Sequence, residues 1–137
     1  MKKNIIMIAT TLIVSSLMFG CAQINTSAER NARNFIYASY DDFDPNFYTH
    51  KYNSTQRLIP FFEQFWQLGK KDRVSGMTQE DAQQRVRYLT SDEFLNTIPK
   101  RSTFAGKVYN ESVTPKWTKA MSEAISASYM DGYEGRE

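Results

Sequence analysis

The chain's only cysteine, Cys21, closes a mostly apolar run from Asn4 to Gly20 that follows the short basic start Met1-Lys2-Lys3. Its centre, Ile5 to Met18, carries no charge. A membrane-spanning helix needs ~20 predominantly apolar residues, so the run reads as the apolar region of a secretory signal. That reading withdraws residues 1–20 from the fold and leaves 21–137, room for one domain with a real core but not for two. No cystine can brace such a domain, so its stability has to come from apolar burial. Eight Tyr and the eight Phe left once Phe19 goes with the signal supply the material, because each ring buries a large area.

The signal ends in Leu17-Met18-Phe19-Gly20-Cys21-Ala22, which resembles the lipobox of bacterial lipoproteins. Met18 stands where Leu is usual, and Gly20 is the small residue beside the cut. The resemblance makes Cys21 the lipid attachment site and the membrane the first partner. Acyl chains contribute ~0.8 kcal/mol per buried methylene, so more than one chain gives a stable anchor. It also accounts for an unpaired thiol in an exported chain, where oxidising conditions favour paired cysteines. In Gram-negative lipoproteins an Asp after the cysteine marks inner-membrane retention, and Ala22 at that position implies the outer membrane. The competing reading is cleavage after Ala22 by a general signal peptidase, which would release a soluble periplasmic protein.

Charge narrows the partners further. The chain has 17 Lys plus Arg against 15 Asp plus Glu, and Lys2 and Lys3 leave with the signal. No basic surplus remains to neutralise phosphates, so direct nucleic-acid binding is not expected. Lys70-Lys71-Asp72-Arg73 and Lys100-Arg101 read as solvated surface.

Beyond a polar tether at 21–27, apolar spacing predicts a mainly α fold over 28–137: a small single-domain bundle of about four helices, with room for one short β-hairpin. The first helix follows Ser27 as N-cap, buries Ala28, Ala32, Phe35, Ile36 and Ser39, and leaves Arg30, Arg33 and Asn34 wet. Tyr40 to Asn53, centred on the turn signal Asp44-Pro45-Asn46, reads as an ordered loop. A central helix over Thr55 to Ser75 carries Leu58, Phe61, Phe62, Phe65, Trp66 and Leu68, with Pro60 expected in or before its first turn. Thr78 and Asp81 form a capping pair for a third helix through Ala82, Val86 and Leu89, and Ser91 caps a short turn. Lys100 to Ser112 does not choose between strand and loop. Thr114-Pro115 opens a last helix that ends at Gly132 or Gly135. An aromatic with Gly three residues later occurs in both Trp66-Gln67-Leu68-Gly69 and Tyr129-Met130-Asp131-Gly132, a pattern that suits two helices crossing at their glycines.

Chemistry is sparse. Asp42-Phe43-Asp44-Pro45-Asn46 begins like a calcium loop, but Phe47 occupies the glycine position and Asn53 the terminal Glu position. His50 is the only histidine and has no cysteine or nucleophile motif beside it. Asp131 to Arg136 reads as a helix end whose polar groups stay in water. No catalytic residue, metal ligand or cofactor is expected. Tyr37, Tyr40, Phe43, Phe47, Tyr48 and Tyr52 are the candidate contact residues, with core packing as their alternative fate.

Several segments together give the chain a family likeness: the lipobox ending at Cys21, Asn34-Phe35-Ile36-Tyr37, Phe43-Asp44-Pro45-Asn46-Phe47-Tyr48-Thr49, Asp72-Arg73 ahead of Gly76, Ser102-Thr103-Phe104-Ala105-Gly106-Lys107, and Ser128-Tyr129-Met130-Asp131-Gly132-Tyr133-Glu134-Gly135. The whole resembles the plasmid entry-exclusion lipoproteins of small mobilisable colicin-type plasmids. The resemblance implies a non-enzymatic envelope protein that reduces uptake of related plasmids through protein-protein contact. Two other readings stay open. One is a generic outer-membrane or periplasmic lipoprotein that scaffolds or inhibits an envelope protein; the other is a small hydrolase that would place His50 beside Asp41, Asp42 or Asp44.

Overall fold

The computed structural model describes residues 26–39, 47–99, 101–104, 107–110 and 114–137, and for 47–50 and the two strands it describes the backbone alone. Residues 1–25, with Cys21 and the expected signal, lie outside the described residues, as do Tyr40, Phe43 and the acidic run Asp41, Asp42 and Asp44. The elements run α1 (Ser27–Ser39), α2 (Phe47–Val74), α3 (Gln79–Leu89), α4 (Asp92–Leu95), β1 (Arg101–Phe104), β2 (Lys107–Asn110) and α5 (Pro115–Glu134). The fold is a small, mainly α single domain. Helices α1, α2 and α5 pack mutually, and α3 lies against α5. The hairpin is antiparallel, with Arg101 opposite Asn110 and Phe104 opposite Lys107.

The apolar spacing of α1 places Ala28, Ala32, Phe35 and Ile36 in the core. Phe35 meets Phe62 at 6.0 Å and the edge of Trp117 at 6.1 Å, so one ring joins α1, α2 and α5. Phe61, Phe65 and Phe94 continue the aromatic seam toward α4 through edge-to-face contacts. The caps form as their residues dictate. Thr78 accepts from the Asp81 N–H at 3.2 Å, Ser91 from Phe94 at 3.3 Å and Thr114 from Trp117 at 3.1 Å. Gly135, at φ 74°, ends α5 in a left-handed cap that lets the Arg136 N–H reach the Asp131 carbonyl at 2.8 Å.

Four expectations need correction. The N-cap of α1 is Thr26, whose hydroxyl accepts from the Glu29 N–H at 3.2 Å, while Ser27 is buried one residue inside. The stretch expected as loop up to Asn53 is helical from Phe47 onward, and Thr55, just beyond it in the same helix, is buried. Pro60 therefore lies well inside α2 rather than in its first turn. Its ring removes one backbone donor, but Pro60 and Gln56 are both exposed, so water can satisfy the orphaned Gln56 carbonyl. Finally, Arg30 and Asp131 are not simply wet. Asp131 is only 7% exposed and accepts from Ser27 Oγ at 2.8 Å, Arg30 Nη2 at 2.7 Å and Arg136 Nε at 2.9 Å.

Helices α2 and α5 approach closely where they cross. A Cβ added to Gly69 would strike the Tyr129 carbonyl oxygen and lie 2.7 Å from the Tyr133 nitrogen. One added to Gly132 would strike the Trp66 carbonyl oxygen and lie 2.7 Å from its carbon. Each helix thus presents its glycine to the backbone that carries the other's aromatic, which is the arrangement the sequence echo anticipates. Beside the crossing, the Tyr129 hydroxyl donates to Asp72 Oδ2 at 2.8 Å, and Arg85 Nε reaches the same oxygen at 3.1 Å. Tyr133 stacks on Tyr129 and donates to the Met77 carbonyl at 2.8 Å. No buried side-chain polar atom among the described residues lacks a partner.

Gly69→Ala should destabilise the domain by about 2–4 kcal/mol in urea unfolding, although Ala is the better helix former by about 1 kcal/mol, because backbone atoms cannot yield as a side chain can. Burial, and after it the hydrogen bond to Asp72, holds the Tyr129 hydroxyl far above the usual phenol value of 10.0. Below that value folded and unfolded chains both keep the proton. Above it the unfolded chain ionises first, so stability should fall as pH rises, by up to about 1.4 kcal/mol per unit from this group. Tyr129→Phe should flatten that part of the alkaline slope relative to the parent protein.

Candidate contact surface

Tyr37 lies on the last turn of α1 and is 57% exposed, in a helix whose opposite face is fully buried. Its position follows from the helical repeat: with Phe35 and Ile36 turned inward, Tyr37 falls on the outer side. Lys51, near the start of α2, holds its ammonium 4.2 Å from the Tyr37 ring centre, a cation-π distance. The next residue, Tyr52, is 71% exposed. The ends of two helices thus bring together two exposed phenols and the half-buried Lys51 at one part of the surface. Aromatic rings of this kind supply contact area at low entropic cost and are enriched in interface hot spots.

Of the six candidate contact residues, the structure thus brings Tyr37 and Tyr52 to the surface through Lys51. Phe47 and Tyr48 lie in the first turn of α2 with side chains outside the described residues, and Tyr40 and Phe43 lie outside altogether. Tyr52 sits on a helix rather than on the loop expected for it. Lys51 was not singled out in the sequence, where nothing distinguishes it from other lysines; only the packing of α1 on α2 sets it over Tyr37.

Other surface features are less pointed. A groove of about 420 Å³ between α3 and α5 is lined by Val86, Thr90, Ser122, Ser126 and Met130, with Glu123 at its edge. Tyr88 on α3 is 56% exposed and rests its ring 5.7 Å from Phe94. Among the described residues no cluster of three His, Cys, Asp or Glu side chains could hold a metal ion, and no helix is long and apolar enough to cross a membrane. His50 falls in α2, with its side chain outside the described residues.

Comparison with known proteins adds nothing to this geometry: no protein-family model, no curated protein and no solved structure matches the chain.

Exposed side chains add little buried area, so removing them costs the fold little. Tyr37→Ala and Tyr52→Ala should each leave unfolding free energy within about 0.5 kcal/mol of the parent, whereas Phe35→Ala should lose about 3–5 kcal/mol. Thermal and urea unfolding of the three variants would check this.

Proposed function

We propose that the protein is a lipid-anchored envelope protein that lowers the uptake of related plasmids by the cell that carries it, acting through protein-protein contact. The observation that carries the contact reading is the pair of exposed tyrosines, Tyr37 and Tyr52, flanking Lys51, while the other large aromatics among the described residues, Tyr88 excepted, mostly serve the core. The resemblance to exclusion lipoproteins supplies the biological direction, and the apolar signal ending at Cys21 supplies the anchor. A near-neutral domain suits a role in blocking a mating contact or a DNA-entry component without binding the DNA itself.

The anchor restricts the domain to the membrane surface, which raises its effective concentration against any partner in the same envelope. Affinity for that partner can then be modest. Loss of one aromatic hot spot costs about 2 kcal/mol, or about thirtyfold in affinity, enough to release a contact of that kind.

Mating frequency into recipients that express the parent chain, Cys21→Ala, the double variant Tyr37→Ala/Tyr52→Ala, or no protein tests the proposal at matched expression. The parent alone should depress plasmid acquisition. Equal acquisition in all four recipients would remove the exclusion reading, and would leave a scaffold whose partner is to be sought by crosslinking.

A further inference from the structure

The end of α2 carries three exposed cations, Lys70, Lys71 and Arg73, none of which pairs with a carboxylate among the described residues. Two of them lie over aromatic rings: Lys70 Nζ is 5.0 Å from the Trp66 ring, and the Arg73 guanidinium is 5.2 Å from that of Tyr133. Val74, which follows, is 82% exposed. Trp66 and Tyr133 are themselves buried, so their rings hold the cations at the surface, and the lysine stems and Val74 supply the apolar part of a surface suited to a water-lipid boundary, where the charge meets phosphate.

The position of this surface decides its partner. Trp66 donates from Nε1 to the Arg136 carbonyl at 2.7 Å, Arg136 pairs with Asp131, and Asp131 binds Ser27 in the first turn of α1. The basic patch is therefore linked by direct contacts to the point where the chain enters the domain from Cys21. Only four residues separate Cys21 from Thr26, and the five residue steps between them reach at most about 17 Å. The patch and Tyr52 sit at opposite ends of α2, about 27 Å apart along the helix.

We infer that Lys70, Lys71, Arg73 and Val74 form the membrane-facing surface of the domain and seat it on the anionic headgroups of the leaflet that holds the anchor. The inference rests on the anchored reading given above. It turns the Tyr37–Tyr52 surface away from the bilayer, where a partner can reach it. Each cation close to an anionic surface favours the seated arrangement by about fivefold, so the three together favour it by about a hundredfold at low salt.

The test uses the full acylated chain carrying Val74→Cys or Tyr52→Cys, each with a nitroxide label, in vesicles of phosphatidylcholine alone or mixed with phosphatidylglycerol. Acylation occupies Cys21, so the new cysteine is the sole thiol. The label at 74 should be shielded from a water-soluble nickel relaxant several-fold better in anionic vesicles than in neutral ones, and should lose that shielding at high salt or on adding Lys70→Glu, Lys71→Glu and Arg73→Glu. The label at 52 should stay accessible throughout. A label at 74 that stays fully accessible in anionic vesicles, on protein that floats with them, would overturn the seating and leave the anchor intact. Protein that floats with neither vesicle would instead overturn the anchored reading, and the seating with it.

Discussion

The bundle depends on the contact between the backbones of α2 and α5 at Gly69 and Gly132. Two helices ordinarily keep their axes 8–10 Å apart because side chains intervene. Here each helix has lost its Cβ at the crossing, so carbonyl oxygens of Trp66 and Tyr129 occupy the space that alanine would fill. That closeness brings Tyr129 within reach of Asp72 and Tyr133 within reach of Met77. Without it the two phenols would be buried short of their partners, an arrangement that costs about 1–3 kcal/mol for each unsatisfied group.

Around this crossing the fold closes its polar groups in two locks. Asp72 gathers Tyr129 from α5 and Arg85 from α3, which ties the third helix to the core pair. Asp131 gathers Ser27 and Arg30 from α1 and Arg136 from the chain end. A buried carboxylate is tolerable only when it is paired, and both are, Asp131 through its two oxygens and Asp72 through Oδ2. The last residues are thus part of the structure: the Arg136 carbonyl accepts from Trp66, and the Glu137 carbonyl accepts from Arg30 at 3.1 Å. In the proposed arrangement this lock sits on the anchor side, and the exposed tyrosines occupy the other end of α2.

Where the sequence was a poor guide, the cause lay in contacts between distant residues. Asp131 and Arg136 lie in a stretch that reads locally as a solvated helix end, and nothing near them in sequence announces Ser27 or Arg30 as partners. The start of α2 is hidden in the sequence because Asp44-Pro45-Asn46 is a strong turn signal, while the segment that follows has too little apolar periodicity to announce a helix. Pro60 points the same way, since a proline normally marks a first turn, and only its exposed placement makes it acceptable inside α2. Tyr37 and Tyr52 could be nominated by residue type, but Lys51 could not.

By itself the sequence determined the helical class, the caps at Thr78, Ser91 and Thr114, the inward faces of α1, α3 and α5, and the glycine spacing that permits a close crossing. These are local properties, governed by the helical repeat and by backbone groups within one turn of the residue concerned. Only the tertiary structure decided that the two glycines meet, that Asp72 and Asp131 become buried locks, and that Lys51 lies over Tyr37. Each of those joins residues far apart along the chain, and the free energy of such a contact depends on a distance that no local pattern encodes.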